Sequence, residues 1–172
     1  LIINLFKKEI NKLVLNDAGF VSTNIESLVS DTNPYPVSRK KPVYVPKKSV
    51  FNIMCADSKF EIEFAKFLDN SNDVISFFKN DIQLKNYIEY IKHDGSSGIY
   101  YPDFYIKLKD NNRWIVETKG ASELNAKRKY DRLKLWCGNA TKSHSFKWDC
   151  LFVRQEIWNK FSSRPNTFED FI

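Results

Sequence analysis

Three charged side chains interrupt the apolar pattern of the segment YYPDFYIKLKDNNRWIVETKG: Asp103, Glu117 and Lys119. Residues two apart in a β-strand share a face, so Glu117 and Lys119 point the same way, while Val116 loads the opposite face. The pattern predicts a strand that is covered on both sides. Ionised groups in such a place cost several kcal/mol each unless they are paired or bound to a cation. The three charged residues therefore indicate a functional role, because they would not be expected to stabilise the fold.

The geometry of this trio depends on the turn between the two strands. If Asp110, Asn111 and Asn112 form a three-residue loop, Lys109 faces Arg113 and Asp103 lies opposite Lys119, so that all three functional groups share one face. A two-residue loop would reverse the side on which Asp103 projects, unless a bulge or bend at the preceding proline restores it.

Two carboxylates beside a lysine suit metal-assisted hydrolysis of a phosphodiester. Oxygen atoms of Asp103 and Glu117, with the Thr118 carbonyl, are the ligand types that Mg²⁺ prefers, and Lys119 would orient the attacking water. A bare PD followed by ExK is a weak motif that occurs by chance. The competing interpretation is structural, with Asp103 capping a strand and Glu117 paired with Lys119.

The elements that must position these residues begin with a helix in ADSKFEIEFAKFLDN. Asp57 or Ser58 is placed to cap it, and Glu61 follows Ser58 at capping-box spacing. Ala65 and Leu68 lie on the same helical face as Glu61 and would carry it toward the sheet. As a capping residue alone, Glu61 would instead face solvent.

Further strands and a second helix complete the pattern. Strands are predicted in VISFFKN, in NYIEYIK, on both sides of the turn at 110–112, and in KWDCLFVRQEIW before a short polar tail. SELNAKRKYDRLKLWC predicts a helix that stops at Gly138 or Asn139, with a buried face at Leu124, Tyr130, Leu133 and Trp136. This order predicts an α/β fold in which a central mixed β-sheet is flanked by helices.

We expect two regions: residues 1–50, a helical extension and connector, and residues 51–172, the main domain. Helices are predicted at 1–15 and 24–30, and PVYV could form a short edge strand. Because the chain begins at Leu1 and lacks a signal-like apolar run, we expect a piece of a larger intracellular protein.

Composition supports an anionic partner without requiring one. The net charge of +6 favours binding to the phosphate backbone of a nucleic acid. A mildly basic soluble domain without such a partner can have the same net charge. The three cysteines form no CxxC pair, so we do not expect a structural zinc site. We expect the protein to work in a reducing compartment.

YPDFYI followed by WIVETKG resembles the PD-(D/E)xK nuclease superfamily, which implies a restriction-endonuclease-like α-β-β-β-α-β core. SKFEIEFAKFLD, VISFFKN, YYPDFYI and WIVETKG, in this order, resemble more narrowly the C-terminal endonuclease domain of the restriction (Res) subunit of Type III restriction enzymes. The resemblance covers about residues 57–154.

The resemblance implies a catalytic and metal-binding set of Asp103, Glu117, Lys119 and the Thr118 carbonyl, with Glu61 as a further acid and Glu63 as its alternative. Further candidates are of three kinds: the rim residues Lys79 and Asn80, stacking tyrosines Tyr100 and Tyr101, and helical cations Lys127, Arg128, Lys129, Arg132 and Lys134. For most of these, packing or a solvated helix face is an equally ordinary explanation.

The same resemblance implies Mg²⁺, for which Mn²⁺ substitutes, and double-stranded DNA cut to 5′-phosphate and 3′-hydroxyl ends in a bacterial or archaeal cytoplasm. ATP would act only through a helicase-like motor elsewhere in the full-length chain, and a modification (methyltransferase) subunit would recognise the DNA sequence. Alternatives are another nuclease of the superfamily, of the Type I restriction, recombination or resolvase kind, or a catalytically silent module for DNA binding or subunit docking.

Overall fold

The computed structural model describes residues 40–119, 124–161 and 163–172, together with Glu9 and Thr32. Within these ranges the helices are α1 (Lys59–Asn70), α2 (Ala126–Ser143) and α3 (Gln155–Trp158). The strands are β1 (Val43–Tyr44), β2 (Met54–Cys55), β3 (Val74–Lys79), β4 (Ile88–Ile91), β5 (Ser97–Tyr100), β6 (Phe104–Leu108), β7 (Arg113–Lys119) and β8 (Trp148–Arg154). Apart from Glu9, the helices predicted at 1–15 and 24–30 lie outside the described residues.

Strands β3, β6, β7 and β8 form the central sheet in that order. The pairs β3·β6 and β6·β7 are antiparallel, whereas β7·β8 is parallel, so the sheet is mixed as predicted. Helix α2 makes the crossover between the parallel strands, as a parallel connection requires. Strands β4 and β5 form a separate hairpin, and β1 pairs with β2. The predicted α-β-β-β-α-β order is confirmed.

Each face of the sheet has its own apolar cluster. Phe64 and Leu68 of α1 pack with Phe104 and Val116 on one face. On the other face, Ile115 packs with Leu133 and Cys137 of α2. We call these the α1 face and the α2 face. Because side chains alternate along a strand, Thr118 belongs to the α1 face, whereas Glu117 and Lys119 belong to the α2 face.

The register of the β6–β7 hairpin differs from the prediction. Lys107, not Lys109, faces Arg113, and the turn residues are 109 to 111. The amide of Lys109 donates to Asp73 O, and Asn111 takes a positive φ of 71°, a conformation that asparagine tolerates. The shift is two residues along one strand, so Asp103 comes level with Glu117 instead of Lys119.

Two helical predictions need correction. Helix α2 continues through Gly138 and Asn139 to Ser143, because Cys137 and Ala140 are buried against the sheet and tertiary packing outweighs the cost of one glycine. Leu124, predicted on the buried face, precedes the helix and is 73% exposed.

The C-terminal segment is not the short polar tail predicted from its sequence. Residues 155–158, assigned in the prediction to the last strand, form α3, and Trp158 and Phe168 are fully buried in the cluster on the α1 face. At the other end, residues 48–50 pair with Phe77 of β3 and extend the sheet edge. Within the described residues, no helix is long and apolar enough to cross a lipid bilayer.

Candidate active site

Asp103 lies immediately before β6, where the β6–β7 ladder ends. The last paired residues are Phe104 and Val116. Beyond them, Asp103 Oδ2 accepts hydrogen bonds from the Thr118 amide at 2.8 Å and from the Thr118 hydroxyl at 2.7 Å. The side chain of Asp103 thus takes the place of a ladder acceptor after Pro102, and its carboxylate is fixed against the end of β7.

Lys79, at the end of β3, joins Asp103 to α1. Its ammonium lies 3.2 Å from Asp103 Oδ1 and 3.4 Å from Glu61 Oε2. The side chains of Lys79 and Glu61 are each only 9% exposed. Burial alone would lower the pKa of Lys79, but the charges of Asp103 and Glu61 outweigh burial and raise it. Lys79 therefore stays protonated and offsets the charge of two neighbouring carboxylates.

Glu61 combines two arrangements that the sequence presented as alternatives. The Ser58 hydroxyl accepts from the Glu61 amide at 3.2 Å, which is the first half of the predicted capping box. Glu61 Oε2 accepts from the backbone amide of Asp57 at 3.0 Å, one residue before the cap, instead of from the backbone amide of Ser58. Yet Glu61 is buried and faces Lys79, and burial raises its pKa. Glu63 is exposed and accepts from the Trp158 indole at 3.2 Å, away from this cluster.

Glu117 and Lys119 lie on the α2 face of the sheet. Lys119 Nζ is 3.4 Å from Glu117 Oε1. Glu117 Oε2 is buried and has no hydrogen-bond partner among the described residues. Burial, and then the charge of Asp103, raise the pKa of Glu117 to about 8, and Lys119 and Lys129 oppose that rise. With this pKa the Glu117 carboxyl is largely protonated near pH 7, and a bound cation would favour its ionised form.

Asp103 connects the two sides of the site. It bonds directly to Thr118 and Lys79 on the α1 face, and its charge acts on Glu117 on the α2 face. The structure thus brings Asp103, Glu61 and Lys79 into direct contact, and it brings Glu117 and Lys119 together at the adjoining end of β7.

Comparison with known proteins agrees with this geometry. A family model described as an endonuclease domain matches residues 47–148, which is more than half of the chain. The chain belongs to this family of endonuclease domains. The matched region of the endonuclease domain contains Glu61, Lys79, Asp103, Glu117 and Lys119. No curated protein and no solved structure matches the chain significantly.

The carboxyl groups of Asp103 and Glu117 are of the ligand type that a divalent cation such as Mg²⁺ takes. Mg²⁺ is usually held by one or two carboxylates, with waters and substrate phosphate completing the shell. Glu117 Oε2 is unpartnered among the described residues, whereas both oxygens of Asp103 accept hydrogen bonds from Thr118 and Lys79. A cation bound by both carboxyl groups would therefore displace one of the Asp103 partners. Within the described residues, no group of three or more His, Cys, Asp or Glu side chains is arranged to hold a metal ion.

Lys129 of α2 is the helical cation that acts on the site. Lys127 and Lys129 are both among the cations predicted for this helix. Lys127 is exposed, and the charge of Lys129 acts on Glu117. The Lys129 ammonium lies 5.4 Å from the centre of the Tyr100 ring. Lys129 precedes the buried Leu133 by one helical turn, and this spacing is the signal that could have identified it.

The remaining candidates surround the site or serve packing. The backbone N–H of Asn80 donates to the backbone carbonyl of Asp103 at 2.7 Å, and Asn80 is buried. Tyr100 is buried, and its hydroxyl donates to Lys129 O at 3.3 Å, so it is a packing residue. Tyr101 contacts Tyr87 edge to face. On α2, the Arg132 side chain donates to Glu89 O, whereas Arg128 and Lys134 are exposed.

Proposed function

We propose that this endonuclease domain hydrolyses DNA phosphodiesters with the help of Mg²⁺, as a PD-(D/E)xK enzyme. The observation that carries the proposal is that burial and the charge of Asp103, just before β6, raise the pKa of Glu117 at the end of β7, where Lys119 lies 3.4 Å from Glu117. The chain also belongs to an endonuclease family. The buried, unpartnered oxygen of Glu117 supports it, because stability alone does not favour such an atom.

The side chains have distinct roles in this proposal. Asp103 and Glu117 would hold Mg²⁺, which supplies a charge that neutralises the scissile phosphate and makes the attacking water more acidic. Lys119, whose ammonium reaches Glu117, would orient that water and offset negative charge as it develops on the phosphate. Lys79 would hold Asp103 and Glu61 in place from the α1 face, with Glu61 as a further acid.

More narrowly, we propose that the domain is the cleavage module of a Type III restriction enzyme Res subunit. The order of SKFEIEFAKFLD, VISFFKN, YYPDFYI and WIVETKG supports this assignment. Double-stranded DNA would be the substrate, Mn²⁺ would replace Mg²⁺, and the modification subunit and the ATP-driven motor would lie outside this segment. The exposed cations Lys127, Arg128 and Lys134 of α2 would contact phosphates beside the site.

A catalytically silent DNA-binding module is the second candidate, and one observation favours it. Both oxygens of Asp103 already accept hydrogen bonds, from Thr118 and Lys79, so its carboxylate has partners without a metal. In that case Asp103 is a structural residue, and its removal would lower stability without a specific effect on cleavage.

Plasmid cleavage with Mg²⁺ separates the two candidates. We expect Asp103→Ala and Lys119→Ala each to lower the nicking rate about 100-fold or more, the usual effect of losing an electrostatic or proton-transfer group. Lys160→Ala, an exposed lysine beyond α3, is the matched control and should cleave normally. Ca²⁺ should bind without supporting turnover, because its coordination is longer and looser.

Direct Mn²⁺ binding, measured by electron paramagnetic resonance, covers the case in which the separate domain cleaves slowly. The wild-type chain and Lys160→Ala should bind Mn²⁺, and Asp103→Ala should not. Equal nicking by all variants would contradict the proposed activity. Unchanged Mn²⁺ binding in Asp103→Ala would contradict it as well.

A further inference from the structure

A second concave site lies beside the edge strand β3, apart from the carboxylates. It is a cavity of about 460 Å³, within the range of sites that hold small ligands. It runs from the middle of the sheet toward the ends of β7 and β8 that lie away from Lys119, since Arg113 and Trp148 line it. Its aromatic lining residues are Phe77, Phe78, Tyr87, Tyr105, Trp136 and Trp148.

The rings of this cavity are arranged around open space. Phe78 stacks on Tyr105 with a centroid distance of 4.9 Å and an angle of 2°. Trp148 meets Trp136 edge to face at 5.2 Å, and Tyr87 is 47% exposed. Flat aromatic surfaces that remain partly exposed are the platforms on which unpaired bases stack.

The charged groups of the cavity are all positive. Lys85, Lys107 and Arg113 line it, and its described lining includes no acidic side chain. The Arg113 guanidinium lies 4.5 Å from the centre of the Phe146 ring. Cations without acids on an aromatic surface complement a phosphate-linked base, and they do not favour a peptide or a neutral apolar ligand.

One polar atom of the lining also lacks a partner. Trp148 Nε1 is buried and finds no hydrogen-bond acceptor within the described part of the chain. This N–H has almost no accessible surface, so Trp148 offers the cavity its ring and not a hydrogen bond.

We propose that this cavity binds an unpaired nucleotide of a DNA strand. Its base stacks among Tyr87, Tyr105 and Trp148, and its phosphates lie near Lys85 and Lys107. The identity of the ligand as DNA rests on the proposed function. Tyr105 is two residues from Asp103, about 7 Å along the strand, so the occupied strand passes close to the carboxylates. The cavity thus selects DNA that is locally opened near the cleavage position.

The test is a binding titration in EDTA, so it does not depend on cleavage. The 172-residue chain is titrated with a labelled single-stranded oligonucleotide, its blunt duplex, and thymidine monophosphate. We expect the single strand to bind more tightly than the monophosphate and to quench tryptophan fluorescence. Tyr87→Ala should weaken binding about fivefold or more, as expected for the loss of one stacking platform. Lys107→Gln should weaken binding and reduce its dependence on salt.

Phe161→Ala and Lys160→Gln are the matched controls, because both residues are exposed near the C-terminal segment and lie outside the cavity lining. They should bind like the wild type, and circular dichroism should show that all variants are folded. Trp148→Phe should keep most of the affinity and lose part of the quenching.

Unchanged affinity in both Tyr87→Ala and Lys107→Gln overturns the proposal. Equal affinity for the monophosphate and the strand overturns it too, and would assign the cavity to a free nucleotide. Because binding is scored without metal, an absence of nicking bears only on the proposed function.

Discussion

Lys79 offsets part of the charge of two acids, the buried Glu61 and the partly buried Asp103. Its ammonium contacts Asp103 and Glu61 at 3.2 and 3.4 Å, and Asp57 lies at 3.9 Å. Two carboxylates with little solvent repel each other, and the lysine reverses that balance. Lys79 is thus a positioning residue, since it fixes the acids from the α1 face.

Replacement of Lys79 should therefore be costly. Lys79→Gln keeps the length of the side chain but leaves Glu61 and Asp103 without their buried cation, and removing one partner of a buried pair costs about 3 kcal/mol or more. Urea denaturation monitored by circular dichroism measures this loss in the free energy of unfolding. Lys160→Gln, a matched change at an exposed lysine, should cost almost nothing.

The double variant Lys79→Gln/Glu61→Gln decides the cause. Neutralising Glu61 removes the repulsion, so the double variant should recover part of the stability that Lys79→Gln loses. If the double variant is less stable than Lys79→Gln by the full cost of the second change, the lysine acts by packing and not by charge.

Sequence reasoning identified the charged residues of the site more readily than their contacts. Asp103, Glu117 and Lys119 stood out because charge in an apolar strand needs a reason. Asp103 bonds the Thr118 amide because the β6–β7 ladder ends next to it. Lys79 reaches Asp103 because β3 pairs with β6. Both are tertiary facts with no local sequence signal.

At the scale of elements, local chemistry predicted the beginning of α1 and the positions of most strands. Ser58 caps α1 as its spacing with Glu61 indicated. The β6–β7 hairpin was placed two residues out of register, because the Lys109 amide bonds Asp73 of a distant loop. Asp110, Asn111 and Asn112 are all common turn residues, so their types could not fix the register.

Helix α2 was expected to end at Gly138 or Asn139, and the glycine inside it yields a prediction. A Cβ added at Gly138 would meet nothing within 4 Å. Alanine has a helix propensity about 1 kcal/mol better than glycine, so Gly138→Ala should raise the free energy of unfolding by about 0.5 to 1 kcal/mol. Thermal and urea melts monitored by circular dichroism measure the gain.

Gly98→Ala is the contrasting change. There a Cβ would lie 2.6 Å from Lys92 Cε and 3.1 Å from the Tyr90 ring, so neighbouring side chains must move and no gain is expected. If Gly138→Ala fails to exceed Gly98→Ala in stability, the helical path through residue 138 is wrong.

For the whole molecule, the core extends beyond the family match. The match ends at residue 148, but Trp158 and Phe168 are buried with Phe64 and Phe67 of α1. Asp73 accepts from the Phe168 amide at 2.7 Å, which fixes the C-terminal segment to the start of β3. Sequence reasoning missed this role, because isolated aromatic residues in a polar stretch have no periodicity from which burial can be inferred.

Truncation after Arg154 should therefore disrupt the whole fold, although it leaves the described strands β1 to β8 and every proposed catalytic residue in place. It removes Trp158 and Phe168 and uncovers Phe64 and Phe67. Burial of each large apolar side chain contributes about 1.5 to 3 kcal/mol, and total stability is typically about 5 to 15 kcal/mol. The truncated chain should lose its cooperative thermal transition and bind the dye ANS.

Ile157→Ala, at a side chain that is 48% exposed, is the control for a minor change in the same segment and should melt cooperatively. A cooperative transition at the wild-type temperature in the truncated chain would show that residues 47–148 hold the core without the C-terminal segment.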